Sequence, residues 1–196
     1  MMSQANQESL DVIFNDARTY NGWQDKPVSD ALLKQAYDLA KMAPTSANCQ
    51  PMRVIFLSSD EAKAKLKPAL AEGNVDKTMA APVVAIIAHD MEFYERLPKY
   101  FPHTDAKSWF VGNDELIRET AFRNGSLQGA YFMLAARAVG LDCGPMSGFD
   151  TDKVNETFFK GTSYKANFLC NLGYGDESSL FPRAPRPDFD ECCEIQ

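Results

Sequence analysis

The sequence contains few of the groups on which self-contained catalytic and metal sites depend. Its 196 residues include two histidines, His89 and His103, too few for a typical metal site built on three histidines or on a His-x-x-x-His pair. No H-E-x-x-H, G-x-S-x-G or Walker A motif is present, so metalloprotease, serine-hydrolase and P-loop chemistry are unsupported. The G-x-G at 173–175 is followed by neither a third glycine at position 178 nor a helical pattern. A dinucleotide-binding Rossmann unit is therefore unsupported as well, and we expect no metal.

The sequence also lacks long apolar runs and a cysteine framework. The longest apolar run, 79–88, is about ten residues long, contains Pro82 and is too short to span a bilayer. Residues 1–8 have neither the basic nor the apolar region of a signal peptide. Five cysteines, an odd number with no C-x-x-C spacing, do not predict a set of disulfides. We therefore expect a cytoplasmic protein that does not bind a membrane.

Positive charge is in the minority, with 20 lysines and arginines against 27 aspartates and glutamates and a net charge of −7. An acidic surface repels a phosphate backbone, so nucleic acid is not an expected partner, although a few local arginines can still hold a small anion. The length and the 45% hydrophobic composition predict one domain over residues 1–196. A chain with the core of an enzyme but no self-sufficient catalytic group favours chemistry carried by a cofactor.

Hydrophobic periodicity predicts helices and short strands along most of the chain. The predicted helices are 9–17, one that Ser29 caps and Pro44 ends, 60–71, and 113–139 with Asn113 and Gly140 at its ends. The predicted strands are 53–57, 82–88, 141–146 and 167–173. Residues 91–105 predict a short helix and a lid-like loop. The tail 181–196 has no core pattern, and helix 113–139 becomes apolar on nearly all sides, so both are candidates for a subunit interface.

Polar residues suited to an anion or a ring system gather in four segments. In the first, Arg18 offers a fork of donors and Thr19 a hydroxyl, and both suit a phosphate. The second, 44–51, reads Pro-Thr-Ser-Ala-Asn-Cys-Gln-Pro and carries two hydroxyls and two amides, which is more than a turn needs.

The other two segments could approach a ligand closely. Asn74 and Lys77 are three residues apart, so both face one ligand if they lie on a helical turn. In the segment 140–149, Gly148 has no Cβ and allows a close backbone approach.

In this order and at these spacings, the four segments resemble the motifs of the nitroreductase family of flavoproteins, and Arg183 resembles a further basic position of that family. The resemblance implies an α+β fold in which a central mixed, mostly antiparallel sheet is flanked by helices. It also implies an intertwined homodimer that binds FMN at the subunit interface. The cofactor-binding residues that it implies are Arg18, Thr19, Asn21, Thr45, Ser46, Asn48, Asn74, Lys77, Pro145, Met146, Ser147, Gly148 and Arg183. The catalytic residue stays unknown.

The resemblance also implies a role for each segment. Arg18, Thr19 and Arg183 would grip the FMN phosphate. Asn74 and Lys77 would lie on the pyrimidine edge of the ring, and the loop 44–51 would reach the flavin of the neighbouring subunit. Three positions depart from the family pattern. Asn21 is neutral where the family has a cation, and Ser147 stands where a glutamate is frequent. Phe181 stands where the family has a basic residue, so that one phosphate contact is either missing or supplied by Arg186.

The function that the resemblance implies is that of an FMN-dependent oxidoreductase that takes a hydride from NADH or NADPH and acts on a small molecule. Four shorter segments, 19–23, 92–98, 121–124 and 171–176, resemble the subgroup that reduces malonic semialdehyde to 3-hydroxypropionate in pyrimidine degradation. The carboxylate of that substrate calls for a cation, and the candidates are Arg96, Lys99, Arg118 and Arg123. A nitro- or quinone reductase of broad scope and a non-catalytic flavin-binding dimer are the alternatives.

Overall fold

The computed structural model of the protein describes residues 4–196; residues 1–3, which begin the N-terminal segment considered above, lie outside the described part. The α-helices are α1 (Gln7–Leu10), α2 (Asp30–Ala40), α3 (Asp60–Leu66), α4 (Val75–Met79), α5 (Leu97–Tyr100), α6 (Asp114–Ala138), α7 (Thr151–Phe158) and α8 (Phe189–Cys192). The strands are β1 (Met52–Leu57), β2 (Val83–Asp90), β3 (Asp142–Met146) and β4 (Tyr164–Gly173). A π-helical turn at Asp11–Asn15 follows α1, and short 3₁₀ turns lie at Ser46–Asn48, Lys67–Ala69, Glu72–Asn74, Phe93–Arg96, Lys107–Trp109 and Glu177–Ser179.

The four strands form one sheet in the order β1-β2-β4-β3, and all three neighbouring pairs are antiparallel. In the pair formed by β3 and β4, Gly144 lies opposite Asn171. Among the described residues, the parallel component is a bridge between Thr19 and Cys143. The prediction of an α+β fold with a mostly antiparallel sheet is confirmed.

The strand β2 divides the core into two layers. Every residue of β2 is buried, as expected for a strand that is covered on both faces. Val83, Ala85 and Ile87 pack with residues of α2 and α6, whereas the alternate residues Val84 and Ile86 pack with residues of α3 and α7. The helix α6 therefore lies on the face of the sheet opposite to α3 and α7.

Most of the predicted elements are confirmed, with their caps. The side chains of Ser29 and Asn113 accept the backbone N–H groups of Leu32 and Leu116 and so cap α2 and α6. Gly140, whose φ is 84°, follows the end of α6. Within residues 4–196, no helix combines the length and the hydrophobicity needed to cross a membrane.

Several elements differ from the prediction. The helix α7 was not predicted; Asp150 caps it by accepting the N–H of Lys153. The predicted helix 60–71 ends at Leu66, because Pro68 follows in a 3₁₀ turn. The predicted helix 9–17 is the single turn α1 continued by the π-helical turn. Residues 91–105 contain two helical turns, and β4 begins at Tyr164 rather than at 167.

Candidate cofactor-binding site

The strand β3 gathers the first and fourth polar segments. Thr19 forms a parallel bridge with Cys143, and the N–H of Tyr20 donates to the Cys143 carbonyl at 3.2 Å. Arg18 and Thr19 therefore lie beside β3, and residues 146–148 continue from the end of the same strand.

The third segment is bonded to the fourth. The Asn74 side-chain Nδ2 donates to the Gly148 carbonyl at 2.8 Å, and the N–H of Ala71 donates to the same carbonyl at 3.0 Å. A Cβ at position 148 would lie 2.5 Å from Asn74 Nδ2, so this position of the Asn74 amide depends on glycine at residue 148. The approach of a ligand to the Gly148 backbone, which the sequence analysis expects, stays a prediction.

Lys77 lies on the short helix α4, which two side chains fix in place. The Lys77 carbonyl accepts from Trp23 Nε1 at 3.0 Å and from Asn171 Nδ2 at 3.3 Å. These bonds serve a carbonyl that the end of α4 leaves without a helical partner, because the N–H of Ala81 bonds to Thr78 instead. The Lys77 side chain is half-buried and forms no ion pair within residues 4–196.

The sequence analysis did not single out Asn171 as a site residue. Asn171 is fully buried in β4, and its Oδ1 has no hydrogen-bond partner in the part of the chain that the structure describes. A buried acceptor without a partner is costly, and this one belongs to the same amide whose Nδ2 holds the Lys77 carbonyl. The signal in the sequence was an amide within the apolar part of β4, residues 168–172.

A pocket of about 310 Å³ collects four arginines, which we call the arginine pocket: Arg18, Arg137, Arg183 and Arg186. Thr19, Phe14 and Phe181 also line it. Among the described residues, none of the four arginines lies within ion-pair distance of a carboxylate. Four guanidinium groups without a carboxylate partner, in a protein of net charge −7, have the chemistry to hold an anion with more than one negative charge.

The N-terminal segment and the tail hold each other across the arginine pocket. Arg18 Nη2 donates to the Phe181 carbonyl at 2.5 Å, and Arg183 Nη2 donates to the carbonyls of Asn15 and Ala17 at 2.6 and 3.2 Å. Phe181 therefore contributes a carbonyl and an apolar wall where the family pattern has a basic side chain. Arg186 lines the pocket, as the sequence suggested, and Arg137 supplies a cation that the sequence analysis missed.

The remaining predicted residues of the first and fourth segments are exposed or half-buried and carry no charge. Asn21 and Ser147 are exposed, and Pro145 and Met146 are half-buried in β3. The Met146 sulfur accepts from the Thr78 hydroxyl at 3.4 Å. These side chains shape the surface around the end of β3 without adding charge to it.

The loop 44–51 has a strained backbone. Ala47, Asn48 and Gln50 have φ of 49°, 49° and 44°, a left-handed conformation that costs free energy in residues other than glycine. Strain of this kind persists only where the surroundings fix it, and it is concentrated at functional sites.

Buried amides of α6 hold this loop in place. The N–H of Ser46 donates to Asn124 Oδ1 at 2.9 Å, and Gln128 Nε2 donates to Gln50 Oε1 at 2.6 Å. On the other side, Asn48 Nδ2 donates to the Tyr100 carbonyl at 2.9 Å. Asn124 and Gln128 were not singled out from the sequence as supports for the loop.

The loop and the arginine pocket lie apart within one chain. Arg137 follows Asn124 by 137 − 124 = 13 residues on the same helix, which separates them by about 20 Å at 1.5 Å per residue. The structure thus brings together Arg18, Thr19, Asn74, Lys77, Arg183 and the residues 145–148. It holds Thr45, Ser46 and Asn48 at a different position along α6.

Burial shifts the pKa of three titratable groups near these segments. Burial raises the pKa of the Cys49 thiol, inside the loop 44–51, to about 11, so this thiol stays protonated at neutral pH. Burial lowers the pKa of His89, which favours the neutral imidazole. Burial raises the pKa of the Asp142 carboxyl, against the hydrogen bond from Gly175 and the charge of Arg137. Among residues 4–196, no group of three or more His, Cys, Asp or Glu side chains is arranged to hold a metal ion.

Known proteins share this sequence and this fold. Residues 17–174 match the model of the nitroreductase family. A protein of Burkholderia lata, provisionally named NADH dehydrogenase/NAD(P)H nitroreductase, is 62% identical over 195 residues, or 100% of both chains. A protein of Stenotrophomonas maltophilia with the same provisional name is 63% identical over 187 residues, or 95% of each chain.

Solved structures agree on the fold. A provisionally assigned nitroreductase of Bacillus subtilis superposes with a TM-score of 0.85 over 97% of this chain and 100% of its own, at 22% identity. A nitroreductase of Exiguobacterium sibiricum in complex with FMN gives a TM-score of 0.85 over 100% of both chains, at 20% identity. The chain belongs to the nitroreductase family. That membership makes it an oxidoreductase.

Proposed function

We propose that the protein is an FMN-dependent oxidoreductase that uses NADH or NADPH. The observation that carries the proposal is the arginine pocket, which contains no paired carboxylate and is joined through β3 to the segment of Asn74 and Lys77. Relatives at 62% and 63% identity carry names that refer to NAD(P)H. A protein of the same fold was solved with FMN.

The described residues fit FMN at both of its ends. Arg18, Thr19 and Arg183 would hold the phosphate, and Asn74 and Lys77 would hold the pyrimidine edge of the ring. Bound FMN supplies hydride transfer between a nicotinamide and the substrate. In this arrangement Lys77 would place a positive charge where negative charge accumulates on reduction, and the hydrogen bonds to its carbonyl fix the helical turn that carries it. The neutral Asn21 leaves more of this task to Lys77.

We propose further that the site is shared between two subunits of a cytoplasmic homodimer. The loop 44–51 is strained and anchored as functional loops are, yet it lies about 20 Å along α6 from the arginine pocket of its own chain. Leu127 and Tyr131 lie one helical turn apart on the same side of α6 and remain 48% and 42% exposed in the single chain. Exposed apolar side chains on the helix that holds such a loop support a second copy of the chain as its cover.

For the substrate, we propose malonic semialdehyde, in pyrimidine degradation. The support is the resemblance of the segments 19–23, 92–98, 121–124 and 171–176 to that subgroup. Of the cations considered for its carboxylate, Arg123 pairs with Glu119 and Arg96 lies 3.7 Å from Asp90. Arg118 and Lys99 form no ion pair within residues 4–196, which makes them the better candidates.

The second candidate function is a nitroreductase of broad scope, which the names of the relatives favour. To test both, the flavin released by the pure protein is identified, and NADH and NADPH oxidation is then followed with malonic semialdehyde or with a nitroaromatic as acceptor. We expect FMN, and a higher kcat/KM for malonic semialdehyde. The reverse order of kcat/KM would establish the nitroreductase. A flavin-loaded protein that oxidises neither nicotinamide would be the non-catalytic flavin-binding dimer, and a protein that takes up no FMN would refute the cofactor assignment.

A further inference from the structure

We infer that Arg137 is a binding residue for the flavin phosphate and that it helps the protein to select FMN over riboflavin. The inference rests on the proposed function, because it assigns a further residue to the same cofactor site. Arg137 lies in the last turn of α6, far in sequence from the other arginines of the pocket.

The hydrogen bonds of Arg137 are incomplete. Its Nη1 donates to the Ile13 carbonyl at a long 3.3 Å, and its buried Nε has no hydrogen-bond partner within the described chain. Arg18 and Arg183 differ, because they donate to main-chain carbonyls at 2.5 and 2.6 Å. A half-buried arginine that lines the pocket and has unused donors can accommodate an acceptor from outside the chain.

The charges around Arg137 also favour an anion. The carboxylate whose charge interacts with Arg137 is that of Asp142, which already accepts the N–H of Gly175 at 2.8 Å and lies beyond ion-pair distance. A phosphate monoester carries close to two negative charges and three acceptor oxygens at neutral pH. Arg18 and Arg183 use some of their N–H donors to bond main-chain carbonyls of the tail and of the N-terminal segment. Phosphate oxygens therefore remain for a third arginine to bind.

A purely structural role makes a different prediction. A cation in the last turn of a helix interacts favourably with the helix dipole whether or not a ligand is bound. If that were all, loss of Arg137 would lower the melting temperature and would change the affinities for FMN and riboflavin by the same factor. Riboflavin lacks only the phosphate, so the ratio of the two affinities isolates the phosphate contact.

The test is flavin binding by the full-length protein freed of flavin, in buffer without phosphate or sulfate. Fluorescence titrations with FMN and with riboflavin are compared for the wild type, Arg137→Gln and Arg137→Lys. Lys41→Gln is the matched control, because Lys41 is also a cation at a helix end and is paired with Asp38 at 2.5 Å, outside the pocket.

We expect Arg137→Gln to weaken FMN binding about tenfold or more, as for loss of a hydrogen bond to a charged group, with riboflavin binding unchanged. Arg137→Lys keeps the positive charge and should lose less FMN affinity. Lys41→Gln should leave FMN affinity unchanged. Equal losses for the two flavins in the Gln and Lys variants, or unchanged FMN binding, would overturn the inference while leaving the proposed function in place. A wild type that binds neither flavin would overturn both.

Discussion

The arginine pocket and the loop 44–51 are the two polar regions of the molecule that the family motifs mark, and they are built in opposite ways. The pocket assembles residues from both ends of the chain, and its side chains retain donors for an anion. The loop is local in sequence, its backbone is strained, and buried amides of α6 hold it. One region can bind charge within a single chain. The other is pre-organised and lies about 20 Å along α6 from the arginine pocket of its own chain, which is expected if it serves a second subunit.

The largest effect on FMN affinity is expected from removing both Arg18 and Arg183 from the arginine pocket. If the proposed site is right, the double variant Arg18→Ala/Arg183→Ala loses two charge-assisted contacts to the phosphate, each worth about 1.5–3 kcal/mol. FMN affinity should fall by a hundredfold or more, roughly, allowing for non-additivity. Fluorescence titration measures it, and riboflavin affinity should change far less. An equal loss of riboflavin binding would mean that the two arginines act by holding the tail rather than the phosphate.

Lys77→Ala should give the next largest effect, at the ring end of the site. Loss of one charge-assisted contact at a half-buried position costs about 1.5–3 kcal/mol, or roughly ten- to a hundredfold in FMN affinity or in the rate of flavin reduction. Stopped-flow reduction by NADH or NADPH measures the rate. Lys67→Ala is the control, since Lys67 is exposed in the neighbouring turn. Identical behaviour of the two variants would put Lys77 in solvent.

The contrast between the two regions also explains what the sequence could predict. Arg18, Thr19, Asn74 and Gly148 carry chemical properties, such as a fork of donors or a missing Cβ, that draw attention to them in the sequence. Their assignment to a flavin came from the resemblance of their order and spacing to the nitroreductase motifs, and it stays a prediction. The caps at Ser29 and Asn113, in contrast, were predictable from the residues themselves, because their side chains can accept a backbone N–H group, and the structure confirms both.

The supports of the site were not predictable from the residues alone. Asn124 and Asn171 act through carbonyls and N–H groups of segments distant in the chain, and only the fold reveals those partners. Arg137 in the last helical turn has an ordinary explanation in the helix dipole, so its place in the pocket needed the structure. The helix α7 has only eight residues, too few for a long periodic pattern in the sequence, and it is stabilised by packing against β4.

Asn124→Ala should test the loop without touching the arginines. It leaves the N–H of Ser46 without its acceptor and should lower the free energy of unfolding by about 1–3 kcal/mol. Because the loop is expected to contact the ring rather than the phosphate, the affinities for FMN and riboflavin should fall together, by several-fold. Asn155→Ala, which removes a comparable bond to the N–H of Ala166 at 2.8 Å, should lower stability and leave flavin affinity unchanged. A loss confined to FMN would place the loop at the phosphate and break the comparison.

The smallest expected effect, a factor of two, is the one that decides whether the two regions meet across a subunit interface. Ser46→Asp adds a charge to an exposed position of the loop, and Arg18→Ala removes a cation from the pocket. If each site takes its loop from one subunit and its pocket from the other, the homodimer of either variant has two defective sites. In a heterodimer, one site receives the intact loop and the intact Arg18, and the other receives both defects.

Heterodimers isolated with two different affinity tags should therefore bind FMN at half of their sites with wild-type affinity, by the symmetry of a two-fold interface. Fluorescence titration of the heterodimer against both parent homodimers gives the fraction of tight sites. If the loop and the pocket of one chain served the same flavin, every site in the heterodimer would keep exactly one defect and no tight site would be recovered. Both substitutions are at solvent-accessible positions, and melting curves of the two parent homodimers show whether they fold. If both parents fold, tight FMN binding at close to half of the heterodimer sites requires a shared site.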